Sequence, residues 1–325
     1  MAITASELIV LDGKIYHLRL EKGQLAPYVF VVGDPERAHD VANKFDKIIH
    51  RIGNREFQTI TGEYHGMPVS VIGTGIGTDN NEITFVEAYA IREFDLEQRI
   101  REEGIQPLTV IRLGTSGGPQ ASIPPGTLAI ARYAVGLDNT GLFYDNPKVD
   151  ETILRIERSA HNILTRATPK NARFRGRIFP YASKADPEVI EALIRNARDN
   201  YTVGITASAS GFYGPQGREI PGLPITVPRL QEHMARLHVP GEGMLTLNGT
   251  QKSRDLRVVN FEMETSFLYH IGALAGYRMG TICAVIANRP KGTFLNDYHP
   301  AVERCITVGL EAMHDLYRKD LDTKK

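Results

Sequence analysis

Three times in its first 120 residues the chain runs a short apolar segment into a loop of glycine and small polar residues, and this repetition restricts what it can fold into. Tyr28 to Val32 is continuously apolar and ends in Gly33-Asp34-Pro35, the pattern of a buried strand, a turn, and a proline in the first helical turn. The helix that follows is expected to reach about Asn43. Pro68 to Ile72 is a second such strand, closed by Gly73-Thr74-Gly75-Ile76-Gly77, with Asn80 placed to cap a helix running to about Phe94. Leu108 to Leu113 is the third and is expected to open into a loop, Gly114-Thr115-Ser116-Gly117-Gly118. Strand ends that open into small-residue loops are where α/β proteins place ligands.

The rest of the chain keeps the alternation. Strands are expected at Gly126 to Ala134, Tyr201 to Ala207, Leu256 to Phe261 and Met279 to Ala287. Helices are expected at Glu151 to Leu164, Ala185 to Asn200, Glu262 to Ala275 and Ala301 to Leu316. Alternation throughout favours one α/β domain with a mixed central sheet, spanning residues 1–325. Residues 219–249, rich in Gly and Pro around a short helical candidate, read as an extended excursion from it.

Composition narrows the function classes. Lys plus Arg total 38 and Asp plus Glu total 38, so no broad attraction to nucleic acid is expected. Only Cys283 and Cys305 are present, which leaves no disulfide scaffold or multi-cysteine metal cluster and fits a reducing compartment. Met1 to Glu7 lacks the basic region and apolar run of a secretory signal, and no segment supplies eighteen uncharged apolar residues. The expectation is a cytoplasmic protein with no membrane, nucleic-acid or metal partner.

The charged residues at the strand ends carry the chemistry. Gly33 amides with the Arg37 guanidinium could cradle a tetrahedral anion; the plainer alternative is a turn with a solvated arginine. Arg112 closes an apolar strand, where an arginine must find a partner or suffer desolvation, and Thr115 adds a hydroxyl. A salt bridge pinning the loop would equally explain Arg112. Phe212-Tyr213-Gly214-Pro215-Gln216-Gly217-Arg218 sets aromatics before an amide and a guanidinium that together suit two carbonyls flanking a ring N–H. Glu262-Met263-Glu264 opens a predicted helix, where a carboxylate is either a cap or an acceptor from a buried diol. On one helix, at most one of the two acids would reach a ligand. Asn288-Arg289 ends the last long strand. His17, Asp34, Asp79, Asp138 and His161 make no hydrolytic triad or zinc pattern by spacing, and His17 by itself reads as a half-buried structural histidine.

Taken together, Gly33-Asp34-Pro35-x-Arg37, Arg55-Glu56-Phe57, Arg112-Leu113-Gly114-Thr115-Ser116-Gly117, Phe212-x-x-x-Gln216-x-Arg218 and Asn260-Phe261-Glu262-Met263-Glu264 resemble the nucleoside phosphorylase family, which includes uridine and purine nucleoside phosphorylases. The motifs span roughly residues 15 to 315. The resemblance implies a three-layer α/β/α fold with a mixed, partly barrel-like sheet. It implies phosphate on Gly33, Arg37, Arg112 and Thr115, with Arg55 serving a neighbouring subunit and His17 crossing the interface to the ribose 5′-hydroxyl. It also implies the nucleoside on Phe212, Gln216, Arg218, Glu262, Met263 and Glu264, with Arg289 behind the base-reading pair. Arg37, Arg112, Thr115, Arg218 and Glu264 would be the catalytic set.

The Gln216-Gly217-Arg218 arrangement resembles the uridine branch, and Asn288 stands where the purine branch usually has an aspartate that can protonate the ring. The implied reaction is phosphorolysis of uridine, or a related pyrimidine nucleoside, to uracil and ribose 1-phosphate. It would have inorganic phosphate as co-substrate and no other cofactor. The alternatives are a purine nucleoside phosphorylase, a nucleosidase, or a non-catalytic nucleoside-binding regulator. A homodimer is the implied active unit, with a hexamer the second assembly, and Glu56, Ile76 and Asn80 fall where the family binds an interfacial potassium ion.

Overall fold

Five consecutive buried residues form β1 (Tyr28–Val32), one strand of a twelve-stranded mixed sheet in the computed structural model, which describes residues 7–147 and 149–323. Apolar side chains on both faces explain the unbroken Val and Phe run, because β1 lies between two parallel neighbours. After it come α1 (Pro35–Ala42), β2 (Lys47–Asn54), β3 (Phe57–Tyr64), β4 (Met67–Gly73), α2 (Thr78–Glu93), β5 (Thr109–Gly118) and β6 (Leu128–Gly136). The chain continues through α3 (Glu151–Ala167), β7 (Tyr181–Lys184), α4 (Pro187–Ala197), β8 (Tyr201–Ser208), α5 (Leu230–Met234), β9 (His238–Leu247) and β10 (Thr250–Glu262). It ends with α6 (Thr265–Ala275), β11 (Arg278–Asn288), β12 (Thr293–Phe294) and α7 (His299–Thr323).

Five strands close on themselves. β5 pairs in parallel with β11, β11 antiparallel with β6, β6 in parallel with β8, β8 in parallel with β10, and β10 antiparallel with β5. This ring is the barrel-like part of the sheet. From β5 an open arm extends through β1, β4, β3 and β2. Helices pack on both faces, α1 against β3 and β4, α7 against β5 and β11, α6 against β6. The core between them is Val, Ile, Leu and Phe, with Phe30, Phe57, Phe85, Phe261 and Phe267 nearly free of solvent. Each such side chain contributes about 1.5–3 kcal/mol by burial.

Four expectations need correction. Residues 114–118 are not a loop: β5 runs to Gly118 because β11 pairs with it as far as Asn288. Arg51 and Arg55, expected on a polar stretch before Phe57, belong to the β2–β3 hairpin, in which Asn54 faces Phe57 across a two-residue turn. The excursion at 219–249 is built into the sheet over its second half, where β9 pairs with β10 and β8. Polar and glycine residues within these strands, such as Thr59, Thr61 and Gly62 on β3 and the exposed positions of β9, interrupt the apolar runs that mark a buried strand. Finally, α2 starts at Thr78 after Gly77, whose φ of 102° only glycine adopts readily, so Asn80 is not its cap. Among the described residues no helix is long and apolar enough to cross a membrane.

Candidate active site

The cavity lies where the carboxyl ends of β1, β5, β10 and β11 converge. Antiparallel pairing of Phe261 with Gly117 crosses the end of β10 over the end of β5, bringing residues from distant sequence into one space of about 760 Å³. Its lining includes Gly33, Arg37, Arg112 and Thr115, the run Glu262, Met263 and Glu264, and Phe212, Gln216, Arg218 and Arg289.

Asp34 caps α1 by accepting from the Glu36 N–H at 3.0 Å, and Pro35 occupies the first turn. This fixes the helix start that carries Arg37. Arg37 is buried, donates to Leu113 O at 3.4 Å, and lies 3.9 Å from Asp34.

Arg112 is held from three sides. Its Nη1 lies 3.2 Å from Glu262 Oε2 and donates to Cys283 Sγ at 3.1 Å, and its Nη2 donates to Glu264. Burial works against its charge, but the carboxylates of Glu264 and Glu262 more than offset this and hold it above the usual arginine range. One cation between two buried carboxylates leaves a net negative charge. Burial, helped by the like charge of Glu262 and opposed by Arg112, accordingly pushes the Glu264 carboxyl upward. The guanidinium folds back over Gly114, where a Cβ would come within 2.8 Å of Cys283 Sγ.

Glu262 is not on the helix. It ends β10 and accepts from the Glu264 N–H at 3.0 Å, the Thr265 N–H at 3.1 Å and the Ser208 hydroxyl, capping α6 as well as pairing Arg112. Glu264 sits at the N-cap position of α6 and accepts from the Gly77 N–H at 2.8 Å. Both acids therefore reach the cavity, contrary to the expectation that one would be excluded; the helix begins later than the pattern suggested.

Gln216 Oε1 accepts from Arg218 Nη1 at 2.8 Å and Arg289 Nη2 at 2.5 Å. The Arg218 guanidinium lies 3.8 Å over the Phe212 ring, and Arg289 lies 5.0 Å over Phe261. Burial, with Arg218 beside it, brings Arg289 down to about 9. Asn288 donates to the carbonyls of Gln120, Ala121 and Ile123, so its amide is committed to the backbone. An aspartate here would set a carboxylate against those three carbonyls.

His17 and Arg55 do not line this cavity. They are linked through each other's sequence neighbours: Asn54 donates to His17 O at 2.7 Å, and Arg55 donates to the Tyr16 hydroxyl at 3.3 Å. His17 Nδ1 is 2.6 Å from Glu87 on α2. Cavity residues that the sequence reading missed include Ile286, Ala287, Phe294 and Tyr298. The first two directly precede Asn288; nothing in sequence marks the last two. Among the described residues no group of three or more His, Cys, Asp or Glu side chains is arranged to hold a metal ion.

A barrel-centred α/β sheet with a cationic cavity at its strand ends belongs to the class of α/β proteins that bind small anionic and ring-bearing ligands. The model of the Phosphorylase superfamily matches residues 27–313, and the chain belongs to that family. It is 33% identical over 286 residues to a uridine phosphorylase of Thermococcus kodakarensis, covering 87% of this chain and 80% of that one. With the uridine phosphorylase of Escherichia coli it shares 28% over 280 residues, 85% and 86% of the two chains. Among solved structures it is similar to a Trypanosoma brucei nucleoside phosphorylase that shows uridine phosphorylase activity, with a TM-score of 0.80 and 32% identity over 95% of this chain and 100% of that one.

Proposed function

We propose that the protein cleaves uridine with inorganic phosphate, giving uracil and ribose 1-phosphate. The observation that carries this reading is a single cavity lined together by Arg37, Arg112 and Thr115, by Glu262, Met263 and Glu264, and by Gln216 with Arg218. Phosphate bound by Gly33, Arg37, Arg112 and Thr115 attacks the anomeric carbon while Glu264 holds the ribose hydroxyls and Met263 packs beside them. Orientation and charge placement then lower the barrier, and no covalent nucleophile is needed.

The leaving uracil carries negative charge over its ring nitrogen and carbonyls. Arg218 stabilises that charge, with Arg289 behind Gln216; neither arginine has a carboxylate within ion-pair distance among the described residues. Interactions stronger in the transition state than with neutral substrate are those that accelerate the reaction. Phe212 supplies the ring face.

His17 and Arg55, clustered away from the cavity, serve the site of a second copy in a homodimer, with a hexamer a further assembly of such dimers. Glu56 and Asn80 both approach Gly75, where a Cβ would lie 3.4 Å from Glu56 Cγ and 2.5 Å from Asn80 Nδ2. Glu56, Ile76 and Asn80 would together hold a monovalent cation at the same interface. The protein is read as one domain acting in the cytoplasm.

Chromatography of a uridine incubation decides the reaction. Uracil and ribose 1-phosphate should form only with phosphate present. Free ribose appearing at the same rate without phosphate would make the protein a nucleosidase.

A further inference from the structure

Asp138 lies just beyond β6, outside the cavity, and its carboxylate gathers donors from three separate segments. It accepts from the Thr140 N–H at 2.9 Å, from the Tyr181 hydroxyl at 3.1 Å to each oxygen, and from the Ser266 hydroxyl at 3.2 Å. Ser266 is in the first turn of α6. Its N–H donates to Ser208 Oγ at 3.0 Å, and that hydroxyl donates in turn to Glu262. Thr140 bonds Thr78 across 3.0 Å, and Thr78 is the first residue of α2, next to the Gly77 N–H that Glu264 accepts at 2.8 Å. The carboxylate thus ties the start of α2 to the start of α6.

Those two helix starts define Glu264. One carries the carboxylate, and the other supplies the N–H that orients it. Burial raises the Asp138 carboxyl, so its charge costs the fold stability at neutral pH. An amide of the same shape would remove the charge, but its NH2 cannot accept, so the donors to one of the two oxygens would lose their acceptor. A buried acid retained at such a cost fits a demand of the site better than one of the core.

We propose that Asp138 is a positioning residue, fixing the first turns of α2 and α6 relative to each other so that Glu264 is held for the ribose hydroxyls. This rests on the ribose role given to Glu264 above. It predicts a loss confined to the sugar. In Asp138→Asn the full-length protein should stay folded, with an unchanged KM for phosphate. Its uridine affinity should fall at least about fivefold, close to 1 kcal/mol, with a smaller loss for 2′-deoxyuridine, which lacks one acceptor-bound hydroxyl.

The experiment is titration calorimetry with uridine and with 2′-deoxyuridine, beside steady-state kinetics in both substrates. Turnover by the unaltered protein tests the phosphorolysis reading, whereas the ratio of the two nucleoside affinities between variant and unaltered chain tests the positioning role without needing turnover. Ser266→Ala, which cuts one link and leaves the carboxylate in place, should give the same split and decides the matter if Asp138→Asn does not fold. Equal losses for both nucleosides, or unchanged uridine affinity in a folded variant, would overturn the proposal.

Discussion

Arg218 and Arg289 converge on one acceptor, Gln216 Oε1, which concentrates positive charge where a departing pyrimidine becomes anionic. Arg218→Ala should lower kcat/KM for uridine at least tenfold, about 1.4 kcal/mol, with a smaller loss for inosine; steady-state rates with both nucleosides check it, and an equal loss would remove Arg218 from base reading. Glu264 gives a pH prediction. Its carboxyl is raised in the folded protein, while an exposed glutamate titrates near about 4.3. The ribose contact needs the ionised form, so the acid limb of the kcat/KM profile should begin above that value. The stability effect has the opposite sign. The folded state binds this proton more tightly than the unfolded chain, so the contribution to stability is present at low pH and is lost as pH rises through the folded value. Glu264→Gln at neutral pH should therefore cost activity without lowering Tm, since Arg112 keeps Glu262 as its partner.

At the level of elements, the site depends on where helices begin and where hairpins turn. Asp34 sets the start of α1 and so the place of Arg37. Asp34→Ala should lower stability by about 1 kcal/mol, the usual cost of losing such a cap, and raise KM for phosphate; denaturant unfolding and phosphate titration measure the two separately. A raised uridine KM with unchanged phosphate KM would contradict the placement. The β2–β3 hairpin shows the same dependence. Its turn holds Arg55 at a φ of 52°, a left-handed conformation that a long side chain adopts only when the surrounding structure imposes it. Glycine would suit the turn better, and the arginine there points to a demand on the side chain.

For the whole molecule, His17 and Arg55 form a cluster that the chain's own cavity does not use. If a second copy receives them, inactive Arg55→Ala chains mixed with inactive Arg112→Ala chains should regain activity as hybrids form, because half of the hybrid sites then combine two intact contributions. Verified hybrids without any activity would show that each cavity works alone.

How much of this was legible in the sequence follows from the range of the interactions involved. Contiguous apolar runs marked β1, β5, β8 and β11 and drew attention to Gly33, Arg37 and Arg289 beyond strand ends and to Arg112 within β5, because a buried strand and the polar residue that interrupts or follows it are local in sequence. The motif set also identified Gln216, Arg218 and Glu264, as a resemblance. β2 and β9, each with exposed residues along the strand, and β3, whose buried positions include Thr59, Thr61 and Gly62, carry no such run. The helix start that frees Glu262 depends on β10 continuing to pair with β8 as far as Ser208 and Glu262. The partners of Asp138, Thr140, Tyr181 and Ser266, are up to 128 residues away from it. Closure of the five-strand ring decided these: it crosses β10 over β5, and only that crossing turns separate strand ends into one cavity and gives Arg112 two carboxylates.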